Sequence, residues 1–117
     1  RPYTGQVFMV AERNGLGAPA FSVALIVNGA VVATLDGEAP RVTLDISKTF
    51  HEGKNEISFR VTPTHRPNQD INTGMDIAIG LGKSQGQTLA IDRVITRFQR
   101  TSAQTDMLRL DKTVELK

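Results

Sequence analysis

The chain's two imidazoles, His51 and His65, each fall in a stretch whose Gly, Pro and Asn content marks a turn or loop. A histidine base needs an oriented serine and a carboxylate, and no Gly-x-Ser-x-Gly elbow accompanies either one. No His-x-x-x-His spacing occurs, and with no cysteine there is neither a thiol nucleophile nor a Cys-ligated zinc site. The densest run of oxygen donors is Asp70, Asn72 and Asp76 around Gly74, the kind of loop that a hard cation such as calcium uses. Leu81 stands where an EF-hand would place its bidentate Glu, so calcium here would have to draw further oxygens from another loop. Arg66, Asn68, Asp70 and Asn72 together make a candidate ligand-binding loop with the donors and acceptors that sugar hydroxyls need. Arg93, Ile95 and Arg97 share one strand face if no bulge falls between them, and form a candidate interaction face. The remaining carboxylates are dispersed, and the glycine pairs at 15/17 and 80/82 never extend to a phosphate-cradling Gly-x-Gly-x-x-Gly. A non-catalytic protein is expected, with calcium the one cofactor that the residues suggest.

The elements that must position these residues are strands. Val23, Leu25 and Val27, then Val42, Leu44 and Ile46, then Ile57, Phe59 and Val61 each repeat with a period of two. Ala24 and Ile26 add apolar character to the second face of the first run, which predicts a central strand covered on both sides. Asn28-Gly29 between Val27 and Val31 is the signature of a two-residue hairpin turn. Pro40 delays the next strand until Arg41, because it cannot donate into a ladder. Ser47 to Asn55 reads as one helical turn with Phe50 tucked beneath the sheet. Thr62 to Gly74 is the longest polar stretch and reads as a loop. Gly80 and Gly82 mark a close backbone approach or a bulge. The apolar parity of Thr88 to Gln99 changes between Ile91 and Val94, which predicts a bulge at Asp92 or Arg93. Met107 to Leu110 and Thr113 to Leu116 read as two short terminal strands separated by Asp111-Lys112.

Length fits this parse: 117 residues make one domain. Eight or nine short strands with little helix predict an antiparallel β-sandwich, immunoglobulin-like or jelly-roll-like, over residues 1–117, with a small barrel as the alternative. The chain opens on Arg1 and not on Met, as a fragment or mature part of a longer protein would. The formal net charge is +2, but residues 1–82 carry seven basic and eight acidic groups while residues 83–117 carry seven and four. The basic last third has no run of consecutive cations and no interleaved aromatics, which disfavours nucleic acid. No segment approaches the roughly 20 apolar residues of a membrane helix. Without Trp, and with its one Tyr, Tyr3, near a start expected to fray, the chain lacks a stacking platform for sugars.

Three pieces carry a resemblance: Val27-Asn28-Gly29, Val42-Thr43-Leu44-Asp45-Ile46, and Phe50-His51-Glu52-Gly53-Lys54-Asn55-Glu56-Ile57-Ser58-Phe59. Residues 26–61 thereby resemble immunoglobulin-like and galactose-binding-like accessory sandwiches of secreted bacterial proteins. The resemblance implies a hairpin, a one-turn crossover with an apolar plug, and a Gly-Lys-Asn lead into a core strand. The resemblance bears on the fold; the role expected is a non-catalytic interaction or structural module of a larger secreted or envelope-associated bacterial protein, with an extracellular or periplasmic setting. The partner expected is a protein or a neighbouring domain, and a carbohydrate-binding module is the alternative.

Overall fold

The computed structural model describes residues 1–65 and 69–117. Among these are eight strands, β1 (Gln6–Asn14), β2 (Phe21–Val27), β3 (Ala30–Leu35), β4 (Arg41–Asp45), β5 (Gly53–Pro63), β6 (Gly74–Gln85), β7 (Thr88–Thr101) and β8 (Arg109–Leu116), with a 3₁₀ turn at Ser47–Thr49. They form two antiparallel four-stranded sheets, ordered β4-β1-β6-β7 and β3-β2-β5-β8. The protein is a β-sandwich. No helix among the described residues is long and apolar enough to cross a membrane.

Alternation decides which side chains meet between the sheets. Val7, Met9 and Ala11 of β1 and Met75, Ile77 and Ile79 of β6 face Val23, Leu25 and Val27 of β2 and Ile57, Phe59 and Val61 of β5. Phe59 and Phe98 stack across the gap with centroids 5.1 Å apart and planes 18° apart, so one aromatic pair ties β5 to β7. Phe50, 3% exposed, plugs the crossover from β4 to β5 as the sequence predicts. β2 is central, but Ala24 and Ile26 on its outer side are half-buried, so that face is only partly covered. Phe8 points away from the core cluster yet is 5% exposed. It pairs with Gly80, over which Ile91 folds: a Cβ on Gly80 would stand 2.7 Å from Ile91 Cγ2.

Two expectations need correction. The last residues form one continuous strand, because every residue of Arg109–Leu116 pairs with β5, Asp111 with Ser58 and Lys112 with Ile57. Lys112 lies on the same side as Leu110, Val114 and Leu116, an inward charge on an edge strand that protects the edge and reads in sequence as a turn. Met107 and Leu108 precede the strand as loop. The start of the chain is also tied down: Pro2 bridges His51, Tyr3 N donates to Phe50 O at 3.3 Å, and Glu52 N donates to Arg1 O at 2.8 Å.

Candidate functional site

Strand direction sorts the connections into two kinds. The β2–β3 and β6–β7 hairpins stay within one sheet and turn in a few residues. Besides the β4–β5 crossover at 46–52, which lies at the other end, the segments 15–20, 36–40, 64–73 and 102–108 each pass from one sheet to the other, a gap of roughly 10 Å, and therefore need length. All four emerge at the same end of the sandwich, as the pairs Asn14↔Gly74, Glu12↔Arg41, Phe21↔Pro63 and Gly74↔Thr101 require. Both chain ends lie at the opposite end, with Pro2 beside His51 and Leu116 beside Gly53.

The long loops are bonded to one another. Thr73 Oγ1 and Ser102 Oγ share a 2.8 Å hydrogen bond, and Gln69 Nε2 donates to Thr73 Oγ1 at 2.6 Å and to Ala18 O at 2.9 Å. Ser102 Oγ also accepts from Ala20 N at 3.0 Å, while Ser102 N donates to Thr73 O and Thr64 N to Ala20 O. Arg13 Nη1 fixes the 36–40 segment through the carbonyls of Gly37 and Glu38. Buried polar groups paired in this way hold a loop surface in one arrangement.

Arg100 organises the 102–108 loop from inside. The residue is 5% exposed, its guanidinium sits 5.6 Å from the Phe21 ring centroid, and it donates to the carbonyls of Gln104, Asp106 and Met107. Met107 is held at φ 51°, a left-handed conformation that a non-glycine residue adopts at a cost. The result is an end whose loops display Leu16, Ile71, Met107 and Leu108. Leu16 is fully exposed, and Ile71 and Met107 are exposed to 63% and 66%. The basic last third gave no sign of this role for Arg100. The available signal was parity, since Thr96, Phe98 and Arg100 share the core side of β7.

The residues singled out from sequence fall in several places. Arg66 and Asn68 lie outside the described residues. Asp70 Oδ1 accepts from Asn72 N at 2.9 Å and its carbonyl accepts from Thr73 N, so Asp70 and Asn72 form a turn within the loop end. Asp76 lies on β6, where Oδ2 accepts from Gln99 Nε2 at 3.0 Å and Oδ1 stands 3.4 Å from Arg97 Nε. No group of three or more His, Asp or Glu able to hold a metal ion forms among the described residues. His51 and His65 are exposed, and His51 Nδ1 lies 2.8 Å from Glu52 O.

The shared face of Arg93, Ile95 and Arg97 does not form. β7 bulges twice against β6: Gly82 pairs with Ile91 and Leu81 with Arg93, leaving Asp92 extra, while Gly80 pairs with Val94 and Ile79 with Thr96, leaving Ile95 extra. The first bulge is the one predicted. The second puts Arg93 on the side of Leu81 and Arg97 on the side of Ala78, and these sides are opposite because β6 stays regular against β1. The glycines of β6 admit the bulged partner, since a Cβ on Gly82 would stand 2.2 Å from Ala90 O.

Elsewhere the outer face of β5 and β8 carries a surface network. Asp111 accepts from Ser58 Oγ at 2.6 Å and from Arg109 Nε at 2.8 Å. The Ser58 hydrogen bond first, and then Arg109, hold its carboxyl below its usual value. No protein family, curated protein or solved structure matches the chain.

Proposed function

We propose that this chain is a non-catalytic protein-interaction module, immunoglobulin-like in kind, of a larger secreted or envelope protein, and that the long-loop end is its recognition surface. One observation carries this: three mutually bonded loops expose large apolar side chains at the end opposite to both chain termini. A rigid scaffold with recognition on its loops is a common use of a sandwich. Apolar side chains held out by bonded loops cost little entropy on binding, which favours a protein partner. A chain continuing from either terminus would leave this surface clear. Among the described residues, Gln69, Asp70, Thr73, Ser102 and Gln104 at this end spend their side chains on backbone groups and on each other, which supports contact over chemistry.

The test is affinity capture with the wild-type chain, a Leu16→Ser/Ile71→Ser/Met107→Ser variant, and a strand-face control, Val31→Ser/Val94→Ser. A partner held by wild type and control but lost by the loop variant, then verified by titration of the purified pair, is the expected result. A partner kept by the loop variant overturns the assignment. Binding of one sugar class on a glycan array, lost in Asp70→Ala and Asn72→Ala, would replace it with a carbohydrate-binding module.

A further inference from the structure

Arg100 is a buried cation that takes part in none of the ion pairs among the described residues. Burying an ion without a counter-ion is unfavourable, and carbonyl oxygens offset only part of that cost. The guanidinium has five N–H groups. Asp106 O at 2.6 Å and Met107 O at 3.1 Å take the pair on Nη1, and Gln104 O at 2.9 Å takes one on Nη2. What remains is one hydrogen of Nη2 and the Nε–H, which is buried and meets no acceptor. Nε and Nη2 form the side edge of the guanidinium, whose parallel N–H bonds match the two oxygens of a carboxylate.

A pocket of about 260 Å³ adjoins this side chain. Phe21 and Pro63 supply apolar wall, and Thr64, Ser102 and Thr105 supply hydroxyls. Among the described residues no second Lys or Arg lines it, and one guanidinium suits a monoanion. We propose that this pocket binds a carboxylate from the protein partner, either an acidic side chain or a free C-terminus. The proposal rests on the loop end being a protein-binding surface. Since Nε is buried, the 102–108 loop must shift for the carboxylate to reach it, and the carboxylate then takes the Nε and Nη2 hydrogens that the three carbonyls leave free.

The Arg100 Nε–H signal in a ¹H–¹⁵N spectrum of the wild-type chain reads this directly. Sodium acetate, titrated against sodium chloride at equal ionic strength, should move that proton downfield and saturate, with the Phe21, Thr64, Ser102 and Thr105 amides following. A short peptide with a free C-terminus, its amidated form, and an amidated form containing Glu then separate the two sources. Tighter binding of the first marks the terminus, and of the third the side chain. Arg100→Lys keeps the charge without the fork and should bind acetate at least tenfold more weakly. No response to acetate beyond chloride overturns the proposal, as does equal binding of the amidated peptide that lacks Glu. Acetate binding needs no partner, so its failure is distinguishable from failure of the loop-end surface.

Discussion

At one end of the sandwich Asn28 and Asn55 bond each other, and at the other Thr73 and Ser102 do the same. Asn55 is fully buried and makes every bond that its amide can: Oδ1 accepts from Asn28 Nδ2 and His51 N, and Nδ2 donates to His51 O and Gly53 O. Asn28, at φ 50°, adds bonds to Thr49 O and from Glu56 N, so two asparagines join the β2–β3 turn, the 3₁₀ turn and the start of β5. Val31 and Leu44 are exposed near there, but on strands and not on the connections, which are short turns. The hydroxyls of Thr73 and Ser102 join longer segments and leave apolar side chains in solvent. The same hydrogen-bonding chemistry thus closes one end and holds the other open. If the loop end is the proposed recognition surface, stability and recognition divide between the two ends, and each should respond to mutation without the other.

The largest test of that division is Asn55→Ala. It strands buried donors and acceptors of the turn end and should cost about 2–4 kcal/mol in urea unfolding, while partner affinity of the folded protein stays unchanged. Ser102→Ala should cost less, about 1–2 kcal/mol. It should speed hydrogen exchange in segments 15–20 and 64–73 without touching the turn end. Leu16→Ser and Met107→Ser should leave stability within about 0.5 kcal/mol, yet weaken partner binding at least tenfold by titration. The smallest effect lies between the ends, at Asp111. Its folded pKa is below the ordinary 3.8, so its contribution is present above that value and is lost as pH falls through the folded one. Exposure keeps the contribution small. Wild type should therefore exceed Asp111→Asn in stability near neutrality, with the gap closing in strong acid.

The turn end was legible in sequence because its chemistry is local. Asn28-Gly29 announces a hairpin, Phe50 an apolar plug, and Gly53-Lys54-Asn55 a strand start, each within a few residues. The loop end was not legible, since Gln69 meets Ala18 across 51 residues and Ser102 meets Ala20 across 82, and serine or threonine in a polar loop gives no sign of such a partner. The two bulges of β7 show the same limit. The one at Asp92 breaks the apolar parity and can be read, whereas the one at Ile95 sits between Val94 and Thr96 without disturbing it. The candidate face of Arg93, Ile95 and Arg97 depended on the bulge that leaves no trace. Of the ligand-loop candidates, Asp70 and Asn72 lie at the end that carries the apolar display, for reasons of strand direction that their own chemistry does not contain.

The termini invite a rearrangement of the chain. Pro2 and Leu116 flank the short stretch from His51 to Gly53, which places them at most about 18 Å apart. A linker of several glycines and serines could close the polypeptide into a ring without disturbing a strand pair. Opening that ring at Gly86-Gln87, the exposed tip of the β6–β7 hairpin, would give a circular permutant with the same eight strands. By the same geometry the domain could be spliced into a surface loop of a host protein, adding its long-loop end as a graft that stands off the host by the length of the sandwich.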